Sequence, residues 1–417
     1  MLLSVVSKIV ERGDLHIGHR NMSTHLTTDR RYDIDALRVI AFGLLILYHC
    51  GMFYVADWGW HVKSAYTSVA LQEPMRFTNQ WRMSLLFVIS GLAVSFVWQR
   101  YSAGQLARRR WRRVGAPLLL GMFIVVVPQP YYEALSQGAI EPGFFRFWYQ
   151  YLSSAYYTGL TPDSHRFYQV TWNHLWYLPY VLTYTLLLCG AGKLAPNAIS
   201  GLQARFSRLR GFWLLIIPVL PLQLWANTIF PITPDIEHDY FGAWYAHALF
   251  GTLFLYGFLI GRDDAIWQHM KQWRHLWLIV GIASYAILRA QDWWVDDNTQ
   301  GLVEQLSFLS VYVNRWVWIL VLLSWSFHTL NRPFPGLAYC TAAVFPWYVL
   351  HQTITVVAGF HLSRLSLGPV IEPLLLLGIT IGGCAVLYEY VIRRQPLGHV
   401  WFGAPIKHAP IDADKPA

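Results

Sequence analysis

Long apolar runs, each bounded by a short polar or basic segment, recur along the chain from about residue 34 to residue 392. A helix needs roughly 20 apolar residues to cross about 30 Å of hydrocarbon. By that measure the pattern predicts ten spans, at approximately 34–55, 83–100, 114–134, 172–193, 212–230, 244–262, 275–293, 307–330, 337–360 and 369–392. The expected fold is an all-α, polytopic membrane bundle with one buried cavity open to both sides.

Composition strengthens this expectation. Of the 417 residues 55% are hydrophobic and only 13% charged, about half the share found in soluble domains. No polar stretch is long enough for a second soluble core. Three parts are expected: a cytoplasmic lead-in over 1–30, a membrane domain over 31–395 and a cytoplasmic tail over 396–417. Met22 opens a more ordinary polar lead-in than Met1 does, and it is an alternative start of translation.

The net charge of +9 reads as membrane topology and not as nucleic-acid binding. Basic residues gather in alternate connections, notably Arg108–Arg113, Arg205, Arg208, Arg210, Lys271, Arg274, Arg393 and Arg394. The opposite connections carry few: Lys63, Arg76, Arg82, Arg146, Arg166, Arg289 and Arg364. Two of those are acidic, with Asp235, Glu237 and Asp239 in one and Asp292, Asp296 and Asp297 in the other. The excess of cytoplasmic Lys and Arg then places both termini in the cytoplasm, in a cell (inner) membrane. The segment 135–171, rich in aromatic residues, is expected either to form a glycan-binding surface or to lie in the headgroups. Cys50, Cys189, Cys340 and Cys384 lie in or beside apolar runs without a C-x-x-C pair, so neither a disulfide framework nor a zinc site is indicated. No metal cluster, P-loop or dinucleotide fingerprint is present.

The first span carries the most chemistry. Arg38 and His49 are eleven residues apart, which at about 100° per residue is three turns plus roughly 20°, and at about 1.5 Å per residue is roughly 16 Å along the axis. Both project from one face, with Arg38 near the cytoplasmic boundary and His49 deep in the membrane. Asp35, fourteen residues before His49, shares the face and is spaced to hold Arg38. A histidine in a membrane helix rarely faces lipid, so His49 is either a general base or one side of an interhelical hydrogen bond. The Arg108–Arg113 run either marks topology or matches phosphate oxygens with its guanidinium forks. His351 and Arg315 lie inside apolar spans, and a mid-helix arginine must line a cavity or meet a carboxylate. For Arg315 the carboxylate choices are Glu304, Glu372 and Glu389. His174 orients a substrate near the outer mouth or belongs to an interfacial aromatic belt.

These residues resemble acyltransferase family 3. The resemblance rests on Asp35-x-x-Arg38 followed by His49, on Leu86-Phe87-Val88-Ile89-Ser90-Gly91, and on Arg109-Arg110-x-x-Arg113 before Pro117. It extends through Trp172–Leu178 and Phe345–Gln352, and within the family it is strongest to the glucan-biosynthesis branch, linked to succinylation of periplasmic glucans. Leu86-Phe87 replaces the usual aromatic pair. The resemblance implies transfer of an acetyl or succinyl group from acyl-coenzyme A to a hydroxyl of an extracytoplasmic carbohydrate. It implies that His49, Arg38 and Asp35 are catalytic and that Arg109, Arg110 and Arg113 hold the donor's phosphates. Arg315, His351 and His174 are then candidates for substrate contact. The alternatives are a transporter or flippase, which the absence of an internal repeat disfavours, and a non-catalytic membrane partner.

Overall fold

The computed structural model describes residues 30–153, 166–225, 229, 239–291, 301–395, 398 and 401–402. The lead-in through Asp29, the acidic residues Asp235, Glu237, Asp292, Asp296 and Asp297, and most of the tail lie outside the described residues. Among the described residues the chain is helical, and its one extended pairing is an isolated bridge between Val55 and Ser68.

Every apolar run forms helix, but the helices differ in reach. Seven stretches are long and apolar enough to cross a bilayer unaided. They are α1 (Tyr32–Met52), α2 (Gln72–Val97) with its leading turn, and α3 (Ala103–Ser136). After the short α4 (Phe144–Leu152) come α5 (Tyr177–Leu194) with the turn Asn173–Trp176 and, after α6 (Pro196–Phe206), the three shorter runs. The series closes with α11 (Leu302–Thr329), α12 (Leu337–Leu362) and α13 (Gly368–Val386), which continues to Ile392.

The other three expected spans are short or broken, for visible reasons. In α7 (Trp213–Leu224), Pro218 and Pro221 fall within 12 residues, each deleting a backbone donor. The run that starts α8 (Trp244–Ile260) turns by 102° into α9 (Asp264–Gln272). At that break Asp263 accepts the Ile266 amide at 3.0 Å, a cap that starts a new helix. Counting α8 and α9 as one broken span raises the number to eight. The third is α10 (Arg274–Ala290), at 17 residues.

The site depends on where α1 sits. It packs against α2, α11, α12 and α13, so its polar stripe meets protein and not lipid. Its start is pinned by Asp33, fully buried, which accepts two hydrogen bonds from Arg31 at 2.9 and 2.7 Å. Arg31 in turn lies 3.8 Å over the Trp267 ring. Past its end, the Lys63 ammonium donates to the carbonyls of Met52, at 2.9 Å, and Val55; burial pulls that ammonium below its ordinary pKa while Asp57 opposes the shift.

Gly91 on α2 faces the backbone of Phe254, and Gly257 on α8 faces the backbone of Val88. A Cβ at either position would collide with main chain, so the small residues are what let α2 and α8 approach so closely. Arg82, expected in an outer loop, belongs to α2 and is 4% exposed, its guanidinium 3.5 Å over the Tyr48 ring. An apolar run begins where its hydropathy rises, but the helix beneath it begins earlier. Of the segment 135–171, α4 presents exposed Phe145 and Tyr149, while residues Phe167 and Gln169–Thr171 line a cavity. The four cysteines are free.

Candidate functional site

The polar stripe of α1 ends in a histidine pair. His49 Nδ1 lies 2.9 Å from His351 Nε2, and the two rings are nearly parallel. His351, fully buried on α12, directs its Nδ1 at the carbonyls of Tyr348 (2.8 Å) and Trp347 (3.2 Å). Carbonyls only accept, so His351 Nδ1 carries the proton and Nε2 carries a lone pair. His49 Nδ1 must then donate, which leaves the lone pair of His49 on Nε2. The network thus assigns both tautomers. Phe42, two turns before His49, meets the His351 ring edge-on at 5.5 Å, so the same face of α1 holds the pair in register.

His174 forms the layer behind. Its Nε2 donates to the Val349 carbonyl at 3.2 Å and its Nδ1 accepts from Gln129 at 3.1 Å. Both ring nitrogens are used and the residue is 5% exposed. His174 is thus buried in the bundle and also lines the cavity described below. It supports α12 from within, and the Tyr348 hydroxyl donates to its carbonyl at 2.6 Å.

His49 lies in the wall of a cavity of about 1340 Å³, together with Tyr48, Trp60, His61, Arg82, Glu133, His174, Gln352 and Arg315. Arg315 donates from Nε to the Gln80 carbonyl at 3.1 Å, while its Nη1 is buried without a partner. Among the described residues no carboxylate pairs with it. Glu389 binds Arg393 at 2.8 Å, and Glu372 is buried on α13. A guanidinium of this kind, facing a cavity with a donor to spare, can take an anionic group.

The arginine end is separate. Arg38 and Arg113 both lie close enough to Arg110 to repel it, and Tyr177 is beside Arg38 and Arg110. Three like charges beside a single carboxylate, Asp35, leave a positive patch that attracts anions. Arg113 is crowded by protein yet solvent-accessible, as a residue in the wall of a wet vestibule would be. Asp35 reaches Arg38 only at 3.9 Å and is held by Arg30 at 2.7 Å. Arg109 is exposed and stacks 4.0 Å over the Tyr101 ring. The π-helical turn Trp111–Gly115 widens the helix within the arginine run, at Arg112 and Arg113.

The residues lining the cavity do not include Arg38, Arg110 or Arg113. Tyr177 donates to the Leu86 carbonyl at 3.0 Å and shares a 2.5 Å hydrogen bond with Ser90. Its ring centroid is 6.2 Å from that of Tyr348.

Four cavity residues, Trp60, His61, Glu133 and Gln352, carried no signal in the periodicity. His61 and Glu133 pair through His61 Nδ1, although they lie in different parts of the chain. An ionisable residue near the end of an apolar run, such as Glu133 or Arg82, was the one available clue. No cluster of three His, Cys, Asp or Glu side chains suited to a metal forms among the described residues.

Comparison with known proteins agrees with this layout. Residues 31–389 match the family model of acyltransferase family 3, described as an acyltransferase domain. Glucans biosynthesis protein C of Escherichia coli (strain SMS-3-5 / SECEC) and that of Escherichia coli (strain SE11) are each 25% identical over 395 residues. The alignments cover 90% of this chain and 95% of each relative. No solved structure matches. With the match spanning nearly all of the helical bundle, the chain belongs to acyltransferase family 3 and is a multi-pass membrane acyltransferase.

Proposed function

We propose that the protein transfers a short acyl group from acyl-coenzyme A to a hydroxyl of an extracytoplasmic carbohydrate, with His49 as general base. The observation that carries this is the chain from His49 through His351 to the Tyr348 carbonyl. It holds the His49 lone pair on Nε2, the nitrogen left for substrate in the cavity wall. The names of the related glucans biosynthesis proteins support a glucan as acceptor.

The arginine-rich end, read as cytoplasmic by the excess of Lys and Arg, receives the donor. Arg38, Arg110 and Arg113 hold its phosphates, and Asp35 with Arg30 helps set the position of Arg38. The rise of about 16 Å from Arg38 to His49 is spanned by the donor's extended arm. His49 Nε2 takes the acceptor proton as the acceptor oxygen bonds to the thioester carbonyl carbon. Collapse of the tetrahedral adduct breaks the carbon–sulfur bond, and the imidazolium returns the proton to the leaving thiolate. Positioned base assistance of this kind is worth ~10²–10⁴-fold.

Arg315 bears on which acyl group is used. Its free donor in the same cavity suits the carboxylate of a dicarboxylic acyl group such as succinyl. The test is release of coenzyme A from acetyl- and succinyl-coenzyme A by detergent-purified protein, with gluco-oligosaccharides, for wild type and His49→Ala. Acceptor-dependent release by wild type that falls ~10²–10⁴-fold in the variant is expected. Equal release by both removes His49 as the base.

A further inference from the structure

The cavity holds a second histidine that this chemistry leaves unused. His61 follows α1, and its Nδ1 is engaged by the Glu133 carboxylate on α3. A carboxylate there places the ring proton on Nδ1, so Nε2 is an acceptor. Gln352 Nε2 lies 3.2 Å from it. The same amide nitrogen also reaches Gln129 Oε1 at 3.2 Å and Asn173 Oδ1 at 3.3 Å. Three acceptors around one nitrogen fix the amide's orientation, because a flipped amide would set oxygen against oxygen twice.

Gln352 Oε1 is consequently left buried without a partner, on a cavity-lining residue that is 2% exposed. Trp60 has the complementary deficit: its Nε1–H is buried without an acceptor. The Trp60 ring lies between the two histidines, 5.5 Å from His49 and 4.9 Å from His61, centroid to centroid. One orphan acceptor and one orphan donor therefore belong to residues of the cavity that His49 also lines. An acyl group or a thioester offers only acceptor atoms, so it cannot satisfy Gln352 Oε1. A hydroxyl is donor and acceptor at once, and a sugar ring presents several beside an apolar face that suits an indole. His61 and Glu133, reached after α1 and near the end of α3, also lie beyond His49 on the side away from Arg38, where an acceptor would enter opposite the donor.

We infer that Trp60, His61, Glu133 and Gln352 form the subsite for the acceptor sugar ring. Trp60 carries the ring's apolar face, Gln352 Oε1 and Trp60 Nε1 meet its hydroxyls, and Glu133 holds His61 in the tautomer that orients Gln352. The inference rests on the proposed transfer to a carbohydrate hydroxyl.

The experiment measures both Michaelis constants of the detergent-purified full chain, with a gluco-oligosaccharide mixture as acceptor, for wild type, Trp60→Leu, Trp60→Phe and Glu133→Gln. The expected result is a rise of at least about tenfold in acceptor KM for Trp60→Leu and Glu133→Gln, with acyl-coenzyme A KM within about twofold and partial rescue by Trp60→Phe. Thermal unfolding in detergent checks that each variant folds, and Trp60→Phe with Glu133→Gln carry the test if Trp60→Leu does not. An unchanged acceptor KM, or both constants rising together, overturns the subsite while leaving acyl transfer intact. Absence of acceptor-dependent release in wild type overturns the transfer to carbohydrate itself, and the subsite with it.

Discussion

Arg38 and His49 stand on one stripe of one helix, yet their surroundings are opposite in kind. Around Arg38 the neighbours Arg110 and Arg113 repeat its charge, and the cluster is built to be completed by an anion. Around His49 two separate chains run in parallel, His49 to His351 to the Tyr348 carbonyl and Gln129 to His174 to the Val349 carbonyl, and in each a donor meets an acceptor at every step. On the proposed function the first region holds a ligand by charge and tolerates imprecise geometry, and the second acts through the direction of one lone pair set by the hydrogen bonds behind it. Binding and chemistry are then divided between the two ends of α1.

This division can be broken at either end. Removing two charges from the arginine cluster, Arg110→Gln with Arg113→Gln, should have the largest effect: a roughly hundredfold or greater rise in acyl-coenzyme A KM, at ~1.5–3 kcal/mol per charged contact. Titrating salt against KM checks the cause, since the wild type should weaken with ionic strength more steeply than the double variant. A change confined to kcat would mean the cluster does not hold the donor.

Next comes His351→Ala, which leaves His49 Nδ1 without its acceptor and frees the tautomer. A fall of ~10–10²-fold in kcat is expected, smaller than for a carboxylate-backed histidine because a neutral imidazole stabilises the imidazolium less. Steady-state kinetics at saturating donor measure it, and an unchanged kcat would remove His351 from the proton path. Arg315→Gln is expected to slow transfer from succinyl-coenzyme A by about tenfold, the loss of one charged hydrogen bond, and to spare transfer from acetyl-coenzyme A. Equal losses with both donors would return Arg315 to a structural role. The smallest effect sharpens the register: Arg109→Gln should alter donor KM by no more than about twofold, because this side chain stacks outward on Tyr101 and exposed contacts contribute little.

The arginine and histidine regions also differ in how far they could be read from the chain. The alignment of Asp35, Arg38 and His49 follows from helical periodicity alone. Which loop arginines turn inward did not, because the dense run Arg108–Arg113 offers several registers and the turn Trp111–Gly115 is π-helical. Arg315 was legible as a cavity-lining charge but not its contact with the Gln80 carbonyl. The His61–Glu133 pair was invisible, since nothing local in either segment refers to the other.

Hydrophobic run length, charge placement and period-3.6 spacing are local quantities, and they suffice for the all-helical membrane class, the chemical face of α1 and the family resemblance. Bilayer burial makes them reliable, because a helix satisfies its own backbone in lipid whatever surrounds it. Three things required the fold. The breaks at α7 and α8–α9 depend on prolines and a capping aspartate acting inside apolar sequence. The contact of Tyr177 with Tyr348 depends on rings from α5 and α12 meeting. The His49 tautomer depends on a carbonyl of Tyr348, three hundred residues along the chain in order of magnitude. A lone pair's direction is set by whatever lies within about 3 Å of the opposite nitrogen, and only packing brings α12 to that place.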